Sequence, residues 1–396
     1  MKFYLPASLL FFQSALGGSP EPDTSPECLS CQEQVQGMMD IWTNETTVAE
    51  ILAELQDGCK AYPTMKQEVC DKLAEAFVQI PPALYEGMED LAWPVPVAIC
   101  ATTRDCYVNC CAEEDPPEQV HLSVASSDSS IMGVAWTSLN QKASVVEYGL
   151  SSDSLTSSQS GDLVAFTKDT KYSYFNFTSS WVGTLHTAKM TDLKPATTYY
   201  YRVGDGAEKW SEVFSFKTVN PSQEKFTYAI IGDMDFAENS DATVASLQRL
   251  VDNGAVDAVV HSGDISYADG YEPHFDDFFN KIQPIAARVP YMGAPGNHEF
   301  WYNFTSYKNR LFMPGVIDEG GSGDNMYFSW NYGPVHFLTC DSETPIDTAN
   351  FDTEQIKWMA ADLKRVRRSA TPWVVANFHR PMYCAGDSDS TCGRQA

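Results

Sequence analysis

Residues 226–235 read FTYAIIGDMD, residues 256–267 read VDAVVHSGDISY and residues 289–299 read VPYMGAPGNHE. In each, a short apolar run of the kind expected for a buried parallel strand ends in a glycine followed by Asp233, Asp264 or Asn297. A fourth run, WVVAN at 373–377, stops just before His379. Polar groups at the carboxyl ends of neighbouring parallel strands converge on one crevice, so the pattern predicts a single site built from Asp233, Asp264, Asn297 and His379. A pair of metal ions a few ångströms apart needs one carboxylate to bridge them and separate N or O ligands for each, and these residues supply those types. Tyr267, three residues after Asp264, is within reach on the same loop. A neutral phenol ligates poorly, and holding phenolate below its ordinary pKa of ~10 takes a hard, highly charged ion such as Fe(III).

The elements that must position these groups read as alternating strand and helix over 224–396, an α/β domain. Asp233 and Asp264 are 31 residues apart, room for a strand end, a crossover helix and the next parallel strand. Asp241 is the expected N-cap of that helix, with Val244, Leu247, Leu250 and Val251 on one face and Gly254 to end it. Residues 327–330 and 335–340 read as two antiparallel strands around Tyr332-Gly333-Pro334. Asp352 and Gln355 suggest a capping box for a helix presenting Ile356, Met359, Leu363 and Val366, and residues 373–377 read as another buried strand.

At 396 residues the chain is long enough for two or three domains. Its formal charge of -27, from 26 Lys and Arg against 53 Asp and Glu, argues against nucleic acid, whose phosphates need clustered cations. The first 17 residues, with Lys2, an apolar run over 3–12 and Ala15-Leu16-Gly17, read as a secretory signal peptide; the run is too short for a membrane-spanning helix of ~20 residues. Export to a secreted or lysosome-like location accords with 11 cysteines and with glycosylation sequons at Asn44, Asn176 and Asn303. Acidic residues and paired prolines at 113–117 mark a domain boundary. Beyond it, 118–219 alternates with period two, as in Val120, Leu122 and Val124, then Met132, Val134 and Trp136, then Val213, Phe214 and Phe216, which suggests a β-sandwich. Residues 193–203, LKPATTYYYRV, resemble a fibronectin type III strand with its tyrosine corner.

Upstream of that boundary, residues 44–55 and 66–78 show helical spacing among six cysteines. With CLSC at its start and CATTRDC at its end, 26–112 resembles the saposin B-type family, a small all-α domain stapled by disulfides. The resemblance implies nested pairs Cys28–Cys106 and Cys31–Cys100, with Cys59–Cys70 inside them, and a possible lipid or membrane surface as partner. Cys384 and Cys392 are expected to pair across a short loop, Cys340 reads as a buried free thiol, and Cys110 and Cys111 receive no assigned partner.

The motifs Gly232-Asp233-Met234-Asp235, Gly263-Asp264-Ile265-Ser266-Tyr267, Gly296-Asn297-His298-Glu299 and Ala376-Asn377-Phe378-His379 occur in the order of GDxG, GDxxY, GNH(E/D) and VxxH. In them the chain resembles the purple acid phosphatase branch of the metallophosphoesterases, whose plant-type members carry a fibronectin-like domain before the catalytic one. The resemblance covers 118–396 and implies hydrolysis of phosphate monoesters at acidic pH by a metal-bound hydroxide. Asp233 and Tyr267 would hold Fe(III), Asp264 would bridge, Asn297 and His379 would hold a divalent Zn, Fe or Mn, and His298 would hydrogen-bond the phosphate or leaving group. Glu299 reads as a group that orients ligands rather than a general base. Three departures stand out: Asp235 in place of a glycine, Ala376 in place of the valine, and a sequence ending at Gly393-Arg394-Gln395-Ala396 without the family's GHxH, so that each ion would lack one histidine. Two other readings stay open: a sphingomyelinase-like phosphodiesterase, which also joins a saposin-type domain to a metallophosphoesterase, and an inert lipid-binding protein.

The disulfide scheme is directly testable. Peptide mapping without reduction should recover the nested pairs Cys28–Cys106 and Cys31–Cys100 together with Cys59–Cys70; alkylation of Cys59 or Cys70 in the unreduced folded protein would contradict it.

Overall fold

The computed structural model describes residues 29, 108–111, 116–167, 181–220, 223, 225–314, 321–344 and 353–381. The expected signal peptide, nearly all of the saposin-type domain with its six cysteines, Asn44, Asn176 and the Cys384–Cys392 pair lie outside them. From residue 109 onward the described residues belong to one compact unit. Among them, no helix is long and apolar enough to cross a membrane. Cys110 and Cys111 are bonded to each other, and Cys340 is a buried free cysteine.

The first half is a β-sandwich built from β1 (Glu118–Ser123), β2 (Met132–Ser138), β3 (Val145–Gly149), β4 (Ser157–Ser160), β5 (Asp162–Phe166), β6 (Trp181–Met190), β7 (Thr198–Gly204) and β8 (Phe214–Lys217). One sheet pairs β1 with β2, β2 with β6 and β6 with β5; the other runs β4-β3-β7-β8, and every pairing is antiparallel. Period-two alternation drives the packing. Tyr199, Tyr201 and Val203 of β7 are buried against Val134, Trp136 and Val146, while Arg202 points the other way and pairs with Glu147 across the strands at 2.7 Å. The expected tyrosine corner is present: the Tyr199 hydroxyl accepts the Lys194 backbone N–H at 3.0 Å. Val213, expected to face inward, lies just before β8 and is 41% exposed.

The second half holds two three-stranded sheets rather than one doubly wound sheet. β9 (Tyr228–Ile231), β10 (Ala258–His261) and β11 (Tyr291–Gly293) are parallel in that order, joined by α1 (Asp241–Asp252) and α2 (Glu272–Ala286). After α3 (Trp301–Arg310), β12 (Phe328–Tyr332) and β13 (Val335–Thr339) form the antiparallel pair, and α4 (Thr353–Arg365) leads to β14 (Trp373–Asn377), parallel to β13. Tyr228 packs edge-on to Phe337 and Tyr332, which joins the two sheets through an aromatic seam.

Three local expectations are corrected. Asp241 lies in the first turn of α1 instead of capping it, and its carboxylate pairs with Lys281 of α2 at 2.5 Å. Gly254 does end that helix, at φ +63°. Asp352 of the expected capping box lies outside the described residues; its partner Gln355 holds the Asp341 backbone, accepting its N–H at 2.7 Å and donating to its carbonyl at 2.9 Å. The face that α4 buries is polar for the same reason, with Asp362 bonded to His336 at 2.7 Å and to Ser329 at 2.8 Å, so Ile356 and Leu363 are turned outward. β14 is likewise buried only at its last residue, with Trp373 67% exposed.

The sandwich is bolted to the second half through α2 and α3. Arg310, 3% exposed, pairs with Asp276 at 2.8 Å and Glu272 at 3.2 Å, donates to Gln119 of β1 at 3.0 Å, and lies over the Trp181 ring, whose indole N–H donates to Asp276 at 2.7 Å. Burial pushes the Asp276 carboxyl up to about 6 against the pull of Arg310. Because Arg310→Met strands two buried carboxylates, it should cost roughly 3–5 kcal/mol in denaturant unfolding, whereas Asp276→Asn should cost far less. A carboxyl raised on folding contributes stability at low pH that is lost as pH rises through its folded pKa, so wild type should gain on Asp276→Asn as pH falls from about 7 to about 4. Equal unfolding midpoints for Arg310→Met and wild type would refute the clamp.

Candidate metal centre

The polypeptide beyond β9 and beyond β10 continues side by side. Asp233, Met234 and Asp235 donate their backbone N–H groups to the carbonyls of Gly263, Asp264 and Ile265, each at 3.2 Å. This ladder sets the Asp233 and Asp264 carboxylates next to each other. His379, two residues past β14, enters from the other sheet, and one ligand atom from each of Asp233, Asp264 and His379 falls within 4.8 Å of the others. His379 Nε2 is 3.2 Å from Asp264 Oδ2 and 3.0 Å from Asn297 Oδ1, and the Tyr267 hydroxyl donates to Asp233 Oδ1 at 3.1 Å. His298 Nε2 lies 3.8 Å from Asp264 Oδ2. All six expected site residues are therefore brought together.

Three supports hold this arrangement. Gly263 has φ +85°, and a Cβ there would meet the His379 ring and Cβ at 2.7–2.8 Å; a Cβ on Gly296 would meet the Asp264 backbone nitrogen at 2.2 Å. Glu299, buried, accepts the backbone N–H groups of Asp264, Ile265 and Gly296 at 2.8–2.9 Å, which ties the loop after β10 to the loop after β11. All three of these bonds are to backbone. On the far side, His379 Nδ1 contacts the Ser262 carbonyl at 2.9 Å, Ser262 donates to Asn377 at 2.5 Å, and Arg380 is held by Glu343 at 2.8 Å.

The loops carry strain. Asp233, Asp235, Asp264, Tyr267 and Asp269 all have φ between +49° and +71°, a region that costs most side chains of order 1 kcal/mol or more. Asp235, where the motif has glycine, is one of them, and its carboxylate accepts the Phe236 N–H at 2.6 Å and the Asn239 amide at 3.2 Å. Aspartate thus occupies a glycine conformation by bonding to its own turn.

Electrostatics in the cluster favour a cation. Burial alone would strip His379 of its proton, but the adjoining Asp264 carboxylate outweighs it and raises the imidazole to about 9. Burial, followed by the charges of Asp264 and Asp233, pushes the Tyr267 phenol well above its ordinary value. Phenolate at this position therefore requires a strong positive charge beside it. The donor set of carboxylates, imidazole, carboxamide and phenol fits hard metal ions.

One group escaped the sequence reading. Asp269 Oδ1 accepts the His298 Nδ1–H at 2.8 Å and the Trp301 indole N–H at 3.1 Å, which leaves His298 Nε2 facing Asp264. Its place five residues after Asp264, on the loop that carries Tyr267, is the only signal the sequence offered.

Residues 117–218 match the family described as purple acid phosphatase, N-terminal domain, and residues 226–395 match the calcineurin-like phosphoesterases. Acid phosphatase type 7 of Danio rerio is 35% identical over 74% of this chain and 64% of its own length. Purple acid phosphatase 22 of Arabidopsis thaliana is 35% identical over 67% of this chain and 58% of its own. The structure of a purple acid phosphatase from yellow lupin seeds superposes with a TM-score of 0.54 at 26% identity, covering 68% of this chain and 52% of that one. The chain thus spans between about half and two thirds of the length of these relatives.

Gly263→Ala tests the geometry: the added methyl meets His379 in a left-handed backbone, so bound metal should fall several-fold while the sandwich stays folded. Metal content equal to wild type after dialysis would show that His379 does not sit as described.

Proposed function

We propose that this chain, a purple acid phosphatase N-terminal domain followed by a calcineurin-like phosphoesterase domain, hydrolyses phosphate monoesters at acidic pH with a pair of metal ions. Asp233 and Tyr267 would hold a ferric ion, Asp264 would bridge, and Asn297 and His379 would hold a divalent zinc, iron or manganese. The observation that carries the reading is the Tyr267 hydroxyl on Asp233, inside the cluster of Asp233, Asp264 and His379. It favours a phosphatase with a tyrosine ligand over a sphingomyelinase-like phosphodiesterase. The gathered ligand set, with its strained loops and glycine cradles, also weighs against an inert lipid-binding protein, because strain of this kind persists where function uses it.

When bound, the two cations would neutralise phosphate oxygens and furnish a nucleophile at low pH. The protein's own groups do the rest. His298, held by Asp269 through Nδ1, presents Nε2 toward Asp264 and so toward the phosphate, where it can donate a hydrogen bond to an oxygen or to the leaving group. Glu299 keeps Asp264 and the Asn297 turn in fixed register, and Arg380 with Glu343 fixes the segment carrying His379. Secretion or delivery to a lysosome-like compartment, glycosylation at Asn303, and lipid contact through the saposin-type region belong to the same proposal and rest on the sequence.

Hydrolysis of p-nitrophenyl phosphate near pH 5 by the metal-loaded chain is the primary test. Asp264→Asn should lower turnover by at least about a thousand-fold and abolish metal pairing, since a carboxamide makes no anionic bridge. Tyr267→Phe should bleach a violet absorbance while much of the metal stays bound; colourless wild type at full iron occupancy would remove Tyr267 from the ligand set.

A further inference from the structure

Two large aromatic side chains stand exposed directly after the third motif: Phe300 is 62% exposed and Trp301 49%. Exposure of single apolar residues is common, but these are not loose. The Trp301 indole N–H donates to the same Asp269 oxygen that holds His298 Nδ1, at 3.1 and 2.8 Å. The indole also rests on Gly270, at φ +86°, where a Cβ would meet it at 3.3 Å. Phe300 packs edge-on to Phe304, which is 2% exposed. The next three residues, Tyr302, Asn303 and Phe304, are all left-handed, with φ between +53° and +60°, a run that only tight surroundings maintain. Tyr302 packs against the sandwich cluster of Cys110, Cys111, Phe166 and Trp181, and Phe304 is buried, so the kink is anchored on both sides.

A tryptophan fixed by a carboxylate, a glycine platform and a strained turn, yet half open to solvent, has had its ordering entropy settled by the fold. Its position relative to the cluster is set by a short chain of contacts: indole to Asp269, Asp269 to His298, and His298 Nε2 to Asp264 at 3.8 Å. A phosphate held at the metal cluster against His298 would send its ester substituent out past this imidazole, toward Trp301 and Phe300. From this we infer that Trp301 and Phe300 form a leaving-group subsite for phosphomonoesters whose alcohol carries a flat ring, an inference that rests on the phosphatase reading above. The ring would stack on the indole face, a contact that selects planar over aliphatic substituents without reading hydrogen-bond pattern. Aryl phosphates and nucleoside monophosphates share that chemistry.

The test uses the metal-loaded full chain with phenyl phosphate, a nucleoside monophosphate and glycerol phosphate. The kcat/KM ratio of each ring-bearing ester to glycerol phosphate should fall about 2- to 12-fold in Trp301→Ala, the span expected for one aromatic stack. Trp301→Phe should restore most of the ratio, which a purely structural role in holding Asp269 would not allow, since phenylalanine lacks the indole N–H. Phe300→Ala should give a smaller drop, and the ester that loses more identifies the ring source. A second readout is independent of turnover: phenylphosphonate should quench tryptophan fluorescence in wild type but not in Trp301→Phe, and should bind more tightly than methylphosphonate. Unchanged selectivity in Trp301→Ala, or equal affinity for the two phosphonates in wild type, would overturn the subsite. If no ester turns over while phenylphosphonate still binds through Trp301, the phosphatase reading fails and the ring site stands.

Discussion

Like-charge repulsion is the constraint from which the second half follows. Ligand atoms of Asp233, Asp264 and His379 lie within 4.8 Å of one another, and two carboxylates at such a separation repel by roughly 1–3 kcal/mol, depending on how much water screens them. A chain left to itself would splay them. Here the backbone ladder from 233–235 to 263–265 holds their Cα atoms in register, Glu299 grips the turn from behind, and two glycines leave no room to relax. The charge is partly met by His379, 3.2 Å from Asp264, whose carboxylate raises the imidazole above its ordinary value against the effect of burial. Burial, with the charges of Asp264 and Asp233 added to it, raises the phenol of Tyr267, which donates to Asp233.

What the sequence revealed of this site, and what it concealed, divides along the range of the interaction. Strand-end positions are local facts: an apolar run, a glycine and a ligating side chain appear close together in the chain at Asp233, Asp264 and Asn297, and an apolar run stops just before His379, so all four were legible. Asp269 was not, because an aspartate on a loop looks the same whether it faces solvent or grips a histidine and a tryptophan from another segment. The helix at Thr353–Arg365 shows the opposite failure. Its apolar stripe through Ile356 and Leu363 is real, but docking was decided by Asp362 meeting His336 and Ser329 from a different sheet, and periodicity carries no information about a buried polar partner. Likewise β14 was recognised as a strand from its β-branched run, while the degree to which it is covered depends on what lies across it.

The sandwich was readable for a comparable reason. Period-two alternation and a tyrosine six residues after Leu193 are short-range signatures, and Tyr199 makes the expected backbone contact with Lys194. Its attachment to the second half was not readable at all. Trp181, Gln119, Asp276 and Arg310 come from four separate elements or their flanks and meet only in three dimensions.

That meeting point has a consequence for how the molecule comes apart. A guanidinium shared between two carboxylates of α2, an amide of β1 and the face of Trp181 from β6 cannot be solvated on one side without stranding charge on the other. Separation of the sandwich would therefore expose unpaired ions in α2 and α3, the helices that flank the loops bearing the ligands, before any strand had melted. Thermal or chemical unfolding of the two halves should accordingly be one cooperative transition, with the sandwich, despite its own apolar core, acting as a wall of the second half instead of a module that proteolysis can release intact.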